Sequence, residues 1–501
     1  MNKKTDHKSL LFYSFLIAYS AMLLFLAIRL NIWEDEAYSL HTTSHPLGRV
    51  VTQSYRFEGQ PPCYFLILAL WRKINHGIIF ARLLSVLFTG LAAVYFYRLC
   101  RLITNRGFAQ WLLVIFLINP FMVWASLEIR LYAFVAFLSL ISVYYYVRYF
   151  RENRKRDLYL FLFFILVSLY TQYFFVFEIA AFGLSMLLFR GWKPLFVFCL
   201  YLLPVVILFL PNFYFLSSEL KVGQLSTPIS AELNSVLHSP QSLVFSPMLV
   251  KINPWLNRFI QLIVLAAACW GFLKLSRKND GATRQSLQVI YTIAIVAVMV
   301  LLLDAFAVYT FGVGFTPRYM IMSLPLFMLL FSMLGGLERN TRNLVLAFLS
   351  VYYLFVLATV YRVPLKRFDY VTASKYVHRI ERPGEPILLY SKILMPAFSI
   401  YYTGPDSLYS LPAANYDDTY YDNNITDTTQ LKQALQQIPT TTHSYILVNG
   451  PIKGFRSPIN MDDASFNTFL DSNYQILSDT SVTGEKNGDI LRIRRIESKQ
   501  Q

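Results

Sequence analysis

Residues 10–30 read LLFYSFLIAYSAMLLFLAIRL, and the chain then runs at once into Trp33-Glu34-Asp35-Glu36-Ala37-Tyr38. The apolar run is about 21 residues long, enough for a helix rising roughly 1.5 Å per residue to cross a hydrocarbon core of about 30 Å. Lys3, Lys4 and Lys8 precede it, as they would a secretory signal. The run exceeds the usual signal core and no small-x-small cleavage site closes it, so it is expected to stay as a first membrane span. The acidic knot then marks where the chain emerges on the far side of the bilayer. Acid is sparse over the first 361 residues, so three consecutive carboxylates at a membrane surface point to chemistry there.

Working outward, the whole chain shares this character. Of its 501 residues 55% are hydrophobic, 17% aromatic and only 15% charged, with mean hydropathy +0.44, too apolar for an ordinary soluble domain. The net charge of +16 does not indicate nucleic acid, because Lys and Arg gather in alternate short loops: at Lys3 to Lys8, Arg98 to Arg106, Arg148 to Arg156, Arg190 and Lys193, Lys274 to Arg284, and Arg339 and Arg342. These are the loops that the positive-inside rule assigns to the cytoplasm. Cys63, Cys100, Cys199 and Cys269 are scattered and form neither a disulfide framework nor a CxxC metal site.

Apolar windows predict about eleven spans, near 10–30, 79–98, 108–126, 131–149, 158–172, 174–190, 194–215, 258–275, 287–309, 319–336 and 343–361. With the N-terminus inside, each of these basic clusters falls on the cytoplasmic side and the last 140 or so residues end outside. The expected organisation is a multi-pass cell-membrane protein with a helical membrane domain over 1–361, outer segments 31–78 and 216–257, and an extracytoplasmic α/β domain over 362–501. Residues 60–71 are apolar but too short to span, and Pro61 and Pro62 suit a helix start, so an interfacial helix is predicted. Segment 216–257 reads as an interfacial or re-entrant loop, amphipathic from Ala231 to His238. In the tail, β-type runs at 387–390, 445–448 and 490–493 alternate with helical patterns at 369–381, 428–437 and 463–471, and 415–429 reads as a loop or lid.

Three outer-face clusters carry candidate chemistry. The acidic knot can hold a cation, act as a general base on a hydroxyl, or mark solvent at a helix end. Glu128-Ile129-Arg130-Leu131-Tyr132 and Thr316-Pro317-Arg318-Tyr319 each place an arginine outside the cytoplasmic clusters. A guanidinium there either grips a phosphate bidentately or serves as a structural pair or interfacial anchor. Thr171-Gln172-Tyr173 in an outer turn, Glu178 and Asp304 inside spans, and the lone His238 are lesser candidates.

Asp35-Glu36-Ala37-x-Ser39, Gln60-Pro61-Pro62-x-Tyr64, Glu128-x-Arg130-x-Tyr132, and Arg318-Tyr319 followed by Pro325 resemble, in order and spacing over residues 8–361, the polytopic lipid-linked-sugar transferases. These are the GT-C enzymes of glycosyltransferase family 39, of the protein O-mannosyltransferase and lipid A aminoarabinose transferase type. The resemblance implies a GT-C fold and a membrane glycosyltransferase that moves a sugar from a polyprenyl-phosphate donor to an acceptor hydroxyl of a lipid, glycan or protein, with inversion. It implies Asp35 as general base beside Glu36, which orients the acceptor or a divalent metal ion, and Arg130 and Arg318 on the donor phosphate. Tyr64, Glu128, Tyr132, Tyr319, Gln60 and Gln172 would line the substrate. Many relatives carry His where this chain has Gln60 and Gln172, which removes imidazoles from any metal site and leaves the substrate open. Two other classes stand beside this one: a lipid or glycolipid transporter or flippase, which would favour charges at the midplane and internal symmetry, and a non-catalytic assembly subunit of the same fold.

Overall fold

Apolar residues occur on the outward faces of the long helices as well as between them: Leu203, Ile207, Leu262 and Leu265 are all more than half exposed, as suits surroundings of lipid rather than water. The computed structural model describes residues 3–222, 228–246, 249, 253–278, 280–312, 315–390, 392–413, 425–438, 444–451, 461, 463–486 and 488–499. The segment 415–424 of the expected loop lies outside them. The chain divides into two units, one of residues 1–27 with 60–362 and one of residues 28–59 with 363–501. The segment expected as one outer loop, 31–78, is thus shared between the two.

The first unit is helical. Among the described residues eight helices are long and apolar enough to cross a membrane, or nine if one bent pair is a single span. Lys155–Leu169 and Phe175–Arg190, of 15 and 16 residues, cover the remaining two expected spans. The protein is therefore a multi-pass membrane protein. The bent pair corrects the expectation of one straight span over 108–126: Arg106–Leu117 and Pro120–Ser126 meet at 65°. The cause is local, because Pro120 cannot continue the ladder of the first helix and the Asn119 side chain accepts from Phe121 N and Met122 N, both at 3.0 Å, restarting the second. Residues 317–336 likewise alternate between 3₁₀ and α geometry around Pro325.

Tyr132–Glu152 is the most deeply buried span and packs against Ile78–Ile103 and Lys155–Leu169. Pro254–Ser276 crosses 330–336 at glycines, where a Cβ on Gly336 would lie 1.9 Å from the Gly271 carbonyl oxygen. Only small residues permit that approach of backbones. Cys63–Arg72 is a ten-residue apolar helix, as expected for 60–71, and Ile229–Leu237 is the helix expected from the amphipathic stretch.

The second unit is built on a five-stranded sheet, with β1 Ile387–Tyr390, β2 Leu408–Leu411, β3 Ser444–Asn449, β4 Tyr474–Thr483 and β5 Ile490–Ser498 in the order β2-β1-β3-β5-β4. β1 pairs in parallel with β2 and β3, and β5 pairs antiparallel with β3 and β4. Helices Tyr370–Ile380, Met395–Tyr401, Thr428–Gln436 and Asp463–Asn473 accompany the sheet. The three β-type runs of the sequence are β1, β3 and β5; β2 and β4 are additional. The core is apolar, with Leu388 and Leu447 buried on neighbouring strands and the Tyr390 and Phe466 rings stacked 4.2 Å apart. The helix Glu34–Thr42, from the other end of the chain, packs on Met395–Tyr401 within this unit.

Candidate functional site

In the second unit the acidic knot forms the first turn of the helix Glu34–Thr42, where carboxylates meet the positive end of the helix dipole. Successive residues on a helix diverge by about 100°, so three adjacent acids cannot share one environment. Glu34 is buried; the Tyr370 hydroxyl donates to its Oε1 at 2.6 Å and Arg367 Nη1 to its Oε2 at 3.3 Å. Burial pushes the Glu34 carboxyl above its ordinary range, and Arg367 and Tyr370 offset only part of that rise. Glu36 is fully buried and its Oε1 sits 2.9 Å from the Lys366 ammonium. Asp35 is half-buried.

The backbone that supplies those cations is held by Asn31. Its Oδ1 accepts from Lys366 N at 2.6 Å and its Nδ2 donates to Phe368 O, also at 2.6 Å, so one buried side chain replaces a pair of ladder bonds. Ile32 N donates to the Tyr401 hydroxyl at 2.8 Å. Reading the sequence singled out the acids and missed Lys366, Arg367 and Tyr370. A signal was present: Lys366-Arg367 follows the last span on the face assigned to the outside, opposite the basic clusters of the short cytoplasmic loops.

In the helical unit three separate stretches meet. Cys63 N donates to Tyr170 O at 2.9 Å, joining the start of the short apolar helix to the 170–172 turn. Gln172 Nε2 donates to Tyr319 O at 3.0 Å, joining that turn to 316–319. The Tyr319 ring stacks on Phe174 at 6.2 Å, and the 3₁₀ segment 317–323 packs on the helix begun by Tyr132. Gln60, Tyr64, Tyr132, Gln172 and Tyr319 thus belong to one neighbourhood. Glu128 is buried, with its carbonyl accepting from Ser85 Oγ at 2.6 Å. Arg130 and Arg318 are half-buried. Gln60 Oε1, Gln172 Oε1 and Thr316 Oγ1 are buried and have no hydrogen-bond partner among the described residues. Buried acceptors left in that state are costly unless a ligand or water supplies donors.

The lesser candidates fall elsewhere. His238 is exposed and its Nδ1 bonds the Asn234 carbonyl at 2.8 Å, one helical turn back. Glu178 accepts from Ser139 Oγ at 2.9 Å inside the bundle, and neither oxygen of buried Asp304 has a hydrogen-bond partner among the described residues. The residues do not fit a divalent ion at Glu36, because Lys366 already neutralises that carboxylate. Among the described residues no group of three or more His, Cys, Asp and Glu is placed to ligate one.

A polytopic helical unit joined to a small sheet unit built on the first loop and the tail is the GT-C architecture. The particular likeness is to ArnT from Cupriavidus metallidurans, whose crystal structure in the apo state matches with a TM-score of 0.56 at 12% identity, over 96% of this chain and 98% of that one. The crystal structure of that protein bound to undecaprenyl phosphate matches over the same shares at 12% identity with a TM-score of 0.42. No family model matches the chain, and no curated protein sequence does.

Proposed function

We propose that this protein is a membrane glycosyltransferase that moves a sugar from a polyprenyl-phosphate donor to an acceptor hydroxyl. The observation that carries the reading is the division of the acidic knot: Glu34 and Glu36 are buried against cations, while Asp35 between them is half-buried at a helix N-terminus. Asp35 takes the proton of the acceptor hydroxyl as that oxygen bonds the anomeric carbon. The bond from that carbon to the phosphate oxygen breaks, its electron pair leaves with polyprenyl phosphate, and the anomeric configuration inverts. Glu36, neutralised by Lys366, fixes the helix that carries Asp35.

Arg130 and Arg318 bind the donor phosphate as charge accumulates on it. The unpartnered acceptors of Gln60, Gln172 and Thr316 suit the hydroxyl donors of a sugar, and Tyr64, Tyr132 and Tyr319 offer it aromatic faces. Glu128 supports this lining from its buried position. The basic loops face the cytoplasm and the second unit the outside of the cell membrane, as their charge distribution favours. The fold shared with ArnT supports the class of reaction.

The test is release of polyprenyl phosphate from labelled polyprenyl-phosphate sugars by the purified full-length chain. Asp35→Asn keeps the shape and removes the base, and should lower the rate by about 10²- to 10⁴-fold. Turnover near the wild-type rate in a folded Asp35→Asn protein would refute the assignment. A flippase would move the labelled lipid across vesicles without releasing the phosphate, and an assembly subunit would do neither.

A further inference from the structure

At the end of the helical unit that carries the basic loops, a cavity of about 430 Å³ opens between the turn at 103–105, the end of Tyr132–Glu152, the start of Gly281–Phe311 and the segment 332–342. Arg101, Arg151 and Arg342 line it, and no Asp or Glu does. Arg148 and Arg154 are paired with Glu152, and Arg148 also with Asp157, whereas none of the three lining arginines has a carboxylate partner among the described residues. Arg101 Nη1 donates to Thr104 O at 3.2 Å and Arg151 Nη2 to Gln285 Oε1 at 2.8 Å, both neutral acceptors.

Two further observations point into the same space. Ser332, 1% exposed, lines the cavity with its Oγ buried and without a hydrogen-bond partner among the described residues. Arg342 lies over the Phe108 ring at 4.5 Å, and its buried Nε likewise has no partner among the described residues. Of the acids near the lining in sequence, Glu152 is paired with Arg148 and Arg154, and Asp280 caps its own helix, with Oδ1 and Oδ2 both accepting from Thr283 at 2.7 Å. Three guanidinium groups, an unused hydroxyl and an unused guanidinium N–H around one void make a surplus of donors and positive charge. A multivalent anion supplies the matching acceptors.

We propose that this cavity is a binding site for a phosphate group, distinct from the residues assigned to sugar transfer. An anionic phospholipid headgroup and soluble inorganic phosphate share that chemistry. Both would be held by the lining arginines, with the Ser332 hydroxyl donating to a phosphate oxygen. Arg101 and Arg151 lie at the surface, so Arg101→Gln with Arg151→Gln can be made without disturbing the core, while Arg342→Gln also removes a contact with Phe108.

The experiment measures binding of phosphatidylglycerol, phosphatidylcholine and inorganic phosphate to the purified full-length protein in neutral detergent. Lipid retention is read by native mass spectrometry, and affinity from the shift of the thermal midpoint with ligand concentration. Either phosphatidylglycerol or inorganic phosphate should bind, and the doubly substituted protein should bind it at least about tenfold more weakly, the scale of a lost charge-assisted hydrogen bond. Ser332→Ala should weaken it by a smaller factor. Preference for phosphatidylglycerol over phosphatidylcholine, with no effect of inorganic phosphate, would identify the source as lipid; the reverse would identify a soluble anion. Binding of neither, or binding of equal strength in wild type and the doubly substituted protein, would overturn the site.

Discussion

Glu34 shows how a single buried carboxylate sets a pH dependence. Burial raises its pKa above the ordinary 4.5, because Arg367 and Tyr370 do not fully replace the water it has lost. A group whose folded pKa is raised binds protons more tightly in the folded than in the unfolded state. Its contribution to stability is therefore present below about pH 4.5 and is lost as pH rises through the folded value. Replacing Glu34 by Gln keeps an acceptor for Tyr370 and removes the titration. Denaturant midpoints of the Glu34→Gln protein should fall less than those of wild type as pH is raised from 4.5. Equal slopes would show that Glu34 is not the group responsible. The acids themselves were legible in the sequence because three adjacent charges stand out in an apolar chain. Their separate fates were not, since Lys366 and Arg367 reach them from more than 300 positions away and no local pattern encodes a pairing at that range.

Elements were legible wherever a physical rule acts locally. Apolar length and the alternation of basic loops located eleven helical stretches, because hydrocarbon thickness and backbone hydrogen bonding leave few other solutions. The break at Asn119-Pro120 was also readable, being a capping side chain followed by a residue without an N–H, yet the unbroken hydropathy of 108–126 hid it. Contacts between elements have no such signature. Gly336 meets Gly271 with its would-be Cβ 1.9 Å from a backbone oxygen, whereas Gly90, in the exposed side of Ile78–Ile103, has nothing within 4 Å. Alanine at 336 must force two backbones apart, which outweighs its better intrinsic helix preference and should cost about 1–3 kcal/mol. Alanine at 90 should be neutral or slightly stabilising. Thermal midpoints of the two purified variants check this directly, and a Gly336→Ala protein as stable as wild type would mean that the crossing is not close-packed.

At the scale of the whole molecule, the second unit is made from two distant pieces of chain. The β-type runs and helical patterns of 362–501 announced a small α/β domain, but nothing in them announced that residues 28–59 complete it. The structural reason is that, besides buried apolar residues such as Ile32, Tyr38 and Val50, the first loop supplies polar partners that leave no local pattern in the tail. Asn31 satisfies the backbone at Lys366 and Phe368, Glu36 neutralises Lys366, and Glu34 meets Arg367 and Tyr370. Deleting the loop would take Glu36 from Lys366, Glu34 from Arg367 and Tyr370, and Asn31 from the backbone at Lys366 and Phe368. Breaking one buried pair from a single side typically costs about 3–5 kcal/mol, a large part of a domain's net stability. Residues 363–501 expressed alone should therefore unfold at a much lower denaturant concentration than the same residues joined through a flexible linker to 28–59. Lys366→Met in the linked form should lower the midpoint, because it removes the cation 2.9 Å from buried Glu36, whereas Lys366→Met with Glu36→Gln should lower it less. Equal midpoints for the isolated and linked tails would show that the tail folds without the loop, and that Asp35 is carried by a segment independent of it.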